Sequence, residues 1–186
     1  MFDHFNLLAP FYERLIPAPD SGRLEYLLDL PISGRLLDAG GGTGRVSSPL
    51  RPFVNHIFLT DVSLGMLQQA KQKEFLAVSL AHAENLPFPG ELFDRVLVVD
   101  ALHHFYNQEM AIKELLRVLK TGGRMVIEEP DLRRFKVKLI ALAEKVTLMR
   151  SQFYSPEKIA QFVSSLGYSL RIERDDKITA WIVVDK

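Results

Sequence analysis

Four glycines stand within five positions, Gly40, Gly41, Gly42 and Gly44, directly after the apolar pair Leu36-Leu37 and the acid Asp38. Glycine weakens a strand interior, so a cluster of this kind marks a strand end where the chain turns sharply. Bare backbone there lets a ligand press close, and the N–H groups of the following turn face a carboxylate or phosphate. The acid upstream suits a ligand that carries a positive or hydrogen-bond-donating group. The spacing is G-x-G-x-G, with Arg45 near the place where a dinucleotide fingerprint puts its third glycine. Asp61 follows 21 positions after Gly40. An acid at about that separation hydrogen-bonds ribose hydroxyls in nucleotide-binding folds. Loop and acid together point to an adenosine-like ligand with its tail at the glycines. Two other pairs have side chains able to move a proton, His103-His104 and Glu128-Glu129.

These residues need elements to hold them. Short runs rich in Val, Leu, Ile or Phe occur at 35–39, 56–61, 75–80, 95–100 and 124–128, as expected of strands buried on both faces. Helical patterns lie between them. Ser63 caps a helix over 64–71, and Asn107 caps one over 109–119 that is expected to stop at Gly122-Gly123. This alternation means βαβ units and a mostly parallel sheet. The last third differs. Residues 131–150 read as a long helix, with Phe135, Leu139, Leu142, Val146 and Met149 at helical spacing. A second helix opens at Ser155-Pro156 and ends near Gly167, followed by strands at 169–173 and 178–184 joined by a turn. Such a pair closes the sheet with an antiparallel hairpin. The histidines then fall in the loop after the fourth strand and the two glutamates at the end of the fifth, both at the strands' carboxyl ends, beside the expected ligand.

Bulk composition narrows the function. A chain of 186 residues with 47% hydrophobic and 25% charged residues fits one globular domain, 1–186, with a well-buried core. The formal net charge is zero, which argues against nucleic acid as partner. There is no cysteine, so disulfides, thiolate metal sites and cysteine nucleophiles are excluded. The amino terminus lacks the pattern of a secretory signal, and no apolar run is long enough to span a membrane, so a cytoplasmic protein is expected.

On these residues the chain resembles a class I S-adenosylmethionine-dependent methyltransferase, of the small-molecule group that includes quinone-precursor methyltransferases. Asp38-Ala39-Gly40-Gly41-Gly42-Thr43-Gly44 is similar to the family's acidic-x-G-x-G-x-G loop. Leu59-Thr60-Asp61-Val62-Ser63 with Met66-Leu67 resembles its ribose strand and helix, and Ala83-Glu84-Asn85-Leu86-Pro87-Phe88 its adenine segment. Ala101-Leu102-His103-His104-Phe105 and Leu116-Arg117-Val118-Leu119-Lys120-Thr121-Gly122-Gly123 resemble the later loop and turn. Phe5-Asn6-Leu7-Leu8-Ala9-Pro10-Phe11-Tyr12 resembles an amino-terminal lid helix within residues 1–30.

The resemblance implies a Rossmann-like α/β three-layer sandwich, with a seven-stranded, mostly parallel sheet whose last strand is antiparallel. It implies S-adenosylmethionine as cofactor and S-adenosylhomocysteine as product. Asp38, Gly40, Gly41, Gly42 and Gly44 would hold the methionine moiety and Asp61 the ribose. Val62 and Met66 would wall the adenine, Ala83 and Glu84 would flank it, and Tyr12 would close over the methionine end. Asp100 reads either as a cofactor contact or as an ordinary polar residue at a strand end. His103 and His104 are the candidates for catalysis, to be weighed against helix capping or cofactor contact. Glu128 and Glu129 could face the acceptor, or be matched by Arg133 or Arg134.

Two positions depart from the family. His82 stands where relatives carry an aspartate that accepts from the adenine amino group, and only a neutral imidazole can accept. Cofactor affinity is therefore expected to fall as that ring protonates. Pro49 and Pro52 are expected to shorten or kink the helix after the loop. The segment 131–166 is expected to line the acceptor site. Its basic residues Arg133, Arg134, Lys136, Lys138 and Lys145 also allow contact with a membrane surface, although core or substrate lid is the favoured reading. The partner expected is a small, hydrophobic acceptor. The alternatives are a cofactor-binding protein without catalysis and a nicotinamide-dependent oxidoreductase, against which Arg45 and the closing hairpin speak. Acceptor atom and oligomeric state are not legible.

Overall fold

The computed structural model describes residues 6, 8–16, 20–131, 152–175 and 179–186. Seven strands, β1 (Arg35–Ala39), β2 (His56–Asp61), β3 (Leu76–Leu80), β4 (Phe93–Val99), β5 (Leu119–Pro130), β6 (Ser169–Arg174) and β7 (Thr179–Asp185), form one sheet in the order β3-β2-β1-β4-β5-β7-β6. Neighbours from β3 to β5 pair in parallel, whereas β7 runs antiparallel to both β5 and β6. Only β7 runs against the others, as the closing hairpin requires.

Alternate residues of the central strands feed two cores. Leu37, Ala39, Val96, Val98, Met125, Ile127, Ile182 and Val184 pack under α3 (Gln108–Val118) and α4 (Pro156–Ser165). Leu36, Leu97, Val126, Trp181 and Val183 pack on the other face under α1 (Ser21–Leu28) and the 3-10 turn Ser48–Phe53. A period of two with both faces buried explains why these strands read as continuous apolar runs. The helix α2 (Leu64–Ala70) covers β2 through Leu67 and Ala70. Caps sit where the sequence places them: Ser63 Oγ accepts from Met66 N, Asn107 Oδ1 from Met110 N and Ser155 Oγ from Lys158 N.

Three expectations change. Gly122-Gly123 does not cap α3, because the helix ends at Val118 and the chain enters β5 directly at Leu119. Gly122 instead takes φ +77 within that strand and donates its N–H to the Lys186 carbonyl at 2.7 Å, next to a register break between β4 and β5. The fourth strand starts at Phe93, and the third starts at Leu76 because Phe75 has φ +71. The two prolines do shorten the segment after the glycine loop, to a six-residue 3-10 turn. The expected long helix 131–150, with its apolar stripe and basic residues, lies outside the described residues beyond Asp131, as do Phe5, Leu7 and 176–178.

Candidate active site

The parallel order reverses between β1 and β4, and ligands of open α/β sheets bind at the carboxyl ends of strands on either side of such a point. A cleft lies there. The loop after β1 forms its floor and is stitched to β2 by Gly40 N and Gly41 N, which donate to the Thr60 carbonyl at 2.8 and 3.1 Å. Gly40 has φ +70, and a Cβ there would stand 2.7 Å from Ala101 Cβ. Gly44 has φ +73, and a Cβ would stand 2.6 Å from Leu76 Cδ1. Neither position accepts a side chain.

Asp61 faces the loop from β2. Its Oδ2 accepts from Gly42 N at 2.9 Å and its Oδ1 from Ser63 N at 2.8 Å, which fixes the carboxylate at the cleft wall above the start of α2. Asp38 lies beneath the loop, 1% exposed, with Oδ2 making no hydrogen bond. Burial pushes its carboxyl up to about 6, against the pull of the nearby Arg45 guanidinium. Arg45 is itself buried, 3.3 Å from Asp100 Oδ2, and sits 5.8 Å from the Tyr12 ring centroid. Burial raises the Tyr12 hydroxyl above its ordinary value. Asp100 follows β4 with φ +51, a conformation rare outside glycine and asparagine, and its N–H donates to the Glu128 carbonyl at 3.0 Å.

The far wall is formed by Ala81, His82, Ala83 and Glu84. Ala81 N donates to the Asp61 carbonyl, and Glu84 Oε1 accepts from Asn107 N, tying this wall to the loop after β4. The amino-terminal segment closes over the top. Asn6 Oδ1 accepts from Ser63 Oγ at 3.0 Å, and Lys73 bonds both Glu13 and the Thr43 carbonyl.

Of the candidates named from sequence, Tyr12, Asp38, Gly40, Gly41, Gly42, Asp61, Val62, Met66, His82, Ala83, Glu84, Asp100 and His104 line this single cleft. Gly44 does not line it; it shapes the turn from below. His103 does not line it either. The two histidines fall in the 3-10 turn Leu102–His104, where successive side chains leave the axis about 120° apart, so they take different partners although their ring centroids lie 4.0 Å apart. His103 is buried, donates from Nδ1 to Glu129 Oε2 at 2.6 Å and stacks on Phe153 at 4.3 Å. Glu129 Oε1 accepts from Leu102 N at 2.9 Å, so that carboxylate faces the histidine turn instead of an acceptor. His104 reaches the cleft. Burial, aided by His103 beside it, lowers its pKa to about 3, which keeps the ring neutral.

The sequence reading did not single out Arg45, Val46, Val99, Phe105 and Tyr106 as lining residues. The position of Arg45 directly after the last loop glycine is the signal that could have found it. The others carry no signal beyond ordinary apolar residues. Four carboxyls, Asp38, Asp61, Glu84 and Asp100, and one guanidinium thus line one concavity. Such a balance suits a ligand that carries positive charge and ribose hydroxyls.

Residues 37–127 match the family described as methyltransferase domain. These 91 of the chain's 186 residues carry a methyltransferase domain. It is 38% identical over 103 residues to the ubiquinone/menaquinone biosynthesis C-methyltransferase UbiE of Chromobacterium violaceum, covering 51% of this chain and 42% of that one. The UbiE protein of Neisseria meningitidis serogroup B is 37% identical over the same share. The chain thus spans less than half the length of the curated relatives it matches. Among solved structures, a SAM-dependent methyltransferase from Thermotoga maritima aligns with TM-score 0.79 and 23% identity over 98% of this chain and 97% of that one. The [4+2]-cyclase SpnF aligns equally well, with TM-score 0.79 at 16% identity over 98% and 93%. The fold alone therefore does not dictate methyl transfer.

S-adenosylmethionine is the cofactor of this family, and the residues present fit it. The buried Asp38 Oδ2 without a partner meets the need of a donating ammonium. Gly42 opens into the cleft, since a Cβ there would have only Met66 Sδ within 4.0 Å.

Proposed function

We propose that this chain moves a methyl group from S-adenosylmethionine to a small, apolar acceptor by in-line displacement. The observation that carries the reading is Asp61 locked to Gly42 and Ser63 at the end of β2, opposite the unpartnered Asp38 oxygen. When bound, the cofactor's sulfonium would supply an already activated methyl. What remains for the protein is alignment and exclusion of water.

Asp61 would take the ribose hydroxyls and Asp38 the ammonium. Val62 and Met66 would wall the adenine, between His82 and Glu84. Tyr12 and the amino-terminal segment pinned by Asn6 would shut the methionine end from solvent. His104, neutral at ordinary pH, would orient an acceptor by a hydrogen bond and is too weak a base to take its proton. His103 would act through position alone, by holding the turn that presents His104. The exposed Tyr106 at the rim favours an acceptor with an apolar face. The UbiE relatives make a quinone precursor one such acceptor.

Isotope transfer tests this reading. Incubation with methyl-labelled S-adenosylmethionine and an apolar metabolite extract should yield a labelled small molecule. Label that stays in the cofactor with every extract would favour a binding protein without catalysis.

A further inference from the structure

Glu128 is a buried carboxyl that the roles above leave unused. It is 5% exposed on β5, and its Oε2 accepts from Trp181 Nε1 at 2.6 Å. Its strand partner is Val99, and its carbonyl holds the N–H of Asp100, so it stands directly behind the residue that ends the cleft on the β4 side. The groups that face it come from four elements. Asp100 follows β4, Arg45 comes from the glycine loop, Glu129 shares its strand, and Trp181 comes from β7 with the Arg23 guanidinium 5.0 Å over its ring. Arg45 is already engaged with Asp100. Burial, Asp100 and Glu129 push the Glu128 carboxyl up to about 7, and Trp181 and Arg45 offset only part of this. Among the described residues Glu128 is therefore a buried carboxyl with no cation of its own, one strand behind Val99 and Asp100, which line the cleft.

We propose that Glu128 selects the charged methyl donor over the spent product, through its closeness to Asp100 and Arg45 at the methionine end of the cleft. The inference rests on the cofactor reading above. Donor and product share the adenosine and the amino-acid end and differ in the positive charge at sulfur. A carboxylate near that charge favours the donor and loses the interaction once the methyl has left, which eases product release. By linkage the donor in turn favours ionised Glu128, so donor affinity rises as pH rises through the pKa of Glu128, whereas product affinity does not follow. Asp38 also titrates, but it serves the amino-acid end common to both ligands and cancels in their ratio.

The test is calorimetric titration of S-adenosylmethionine and S-adenosylhomocysteine into the whole chain at about pH 6 and about pH 8, for wild type and Glu128→Gln. Glutamine keeps an oxygen for Trp181. A one-unit fall of the Glu128 pKa on donor binding makes the ratio of product to donor Kd rise roughly fivefold between those pH values. Glu128→Gln should flatten the ratio. Trp181 is the only tryptophan of the chain, so its emission reports Glu128 ionisation in the wild type without any variant. Its midpoint should fall on adding the donor and stay in place on adding the product. A flat ratio in the wild type, a rise retained in Glu128→Gln, or a midpoint moved equally by both ligands overturns the proposal while leaving the cofactor reading intact. Failure of both ligands to bind overturns the cofactor reading itself.

Discussion

The two halves of the cleft are built differently. On the β1–β2 side, the polar groups of the loop and Asp61 are held by backbone, through Gly40, Gly41, Gly42 and Ser63 N–H groups. On the β4–β5 side, the polar groups are side chains paired with one another, Glu129 with His103, Arg45 with Asp100, Glu128 with Trp181. The first half is a rigid socket for a part of the ligand that never changes. Displaced pKa values occur in both halves, Asp38 upward in the first, Glu128 upward and His104 downward in the second. Under the proposed function the first half binds and the second serves transfer, and substitutions should separate the two in measurement.

The largest effect is expected on the β4–β5 side, in stability. His103→Ala leaves the Glu129 carboxylate buried with half of its partners, which should cost about 3–5 kcal/mol in denaturant unfolding. A loss below about 1 kcal/mol would show that this pair does not hold the turn. Next comes Asp61→Ala, which removes the proposed ribose acceptor and the two backbone contacts that place it. S-adenosylhomocysteine should bind roughly 100- to 1000-fold more weakly by calorimetry, with the fold retained, since hydrogen bonds to charged groups are worth about 1.5–3 kcal/mol each.

Asp38 gives a pH signature to the binding half. Its folded pKa, about 6, lies above the ordinary value of 3.8. The folded state then holds a proton that the unfolded chain has lost, so stability falls as pH rises from about 4 to about 6. The fall attributable to this residue is up to about 3 kcal/mol, and the ligand-free Asp38→Asn variant should lack it in thermal unfolding across that range. Equal pH slopes for variant and wild type would remove Asp38 from the account. The smallest effect sharpens the division most. His104→Ala should leave S-adenosylhomocysteine affinity within about threefold, below roughly 1 kcal/mol, while slowing methyl transfer.

The backbone-held half was the legible one. Glycine spacing, an acid about 20 residues on and a capping serine are local signals, and each led to the right place in the fold. The parallel order and the closing hairpin followed from apolar runs of strand length. The β4–β5 half is less legible, because its residues meet only through tertiary contact. Sequence treats His103 and His104 as equivalent neighbours, and only the 3-10 turn sends one to Glu129 and the other to the cleft. It treats Glu128 and Glu129 as a pair, although strand alternation puts them on opposite faces of β5. The end of α3 was misjudged for the same reason. Gly122 looked like a helix stop, but its positive φ serves a strand that the register with β4 and the Lys186 carbonyl impose.

The central claim is that the cleft at the ends of β1, β2 and β4 takes S-adenosylmethionine. It is tested most directly by calorimetric titration of S-adenosylhomocysteine into the whole chain, with NAD as control. Micromolar binding of S-adenosylhomocysteine, abolished by Asp61→Ala, and no heat from NAD is the predicted result. Binding of NAD in preference, or S-adenosylhomocysteine affinity indifferent to Asp61, would contradict it.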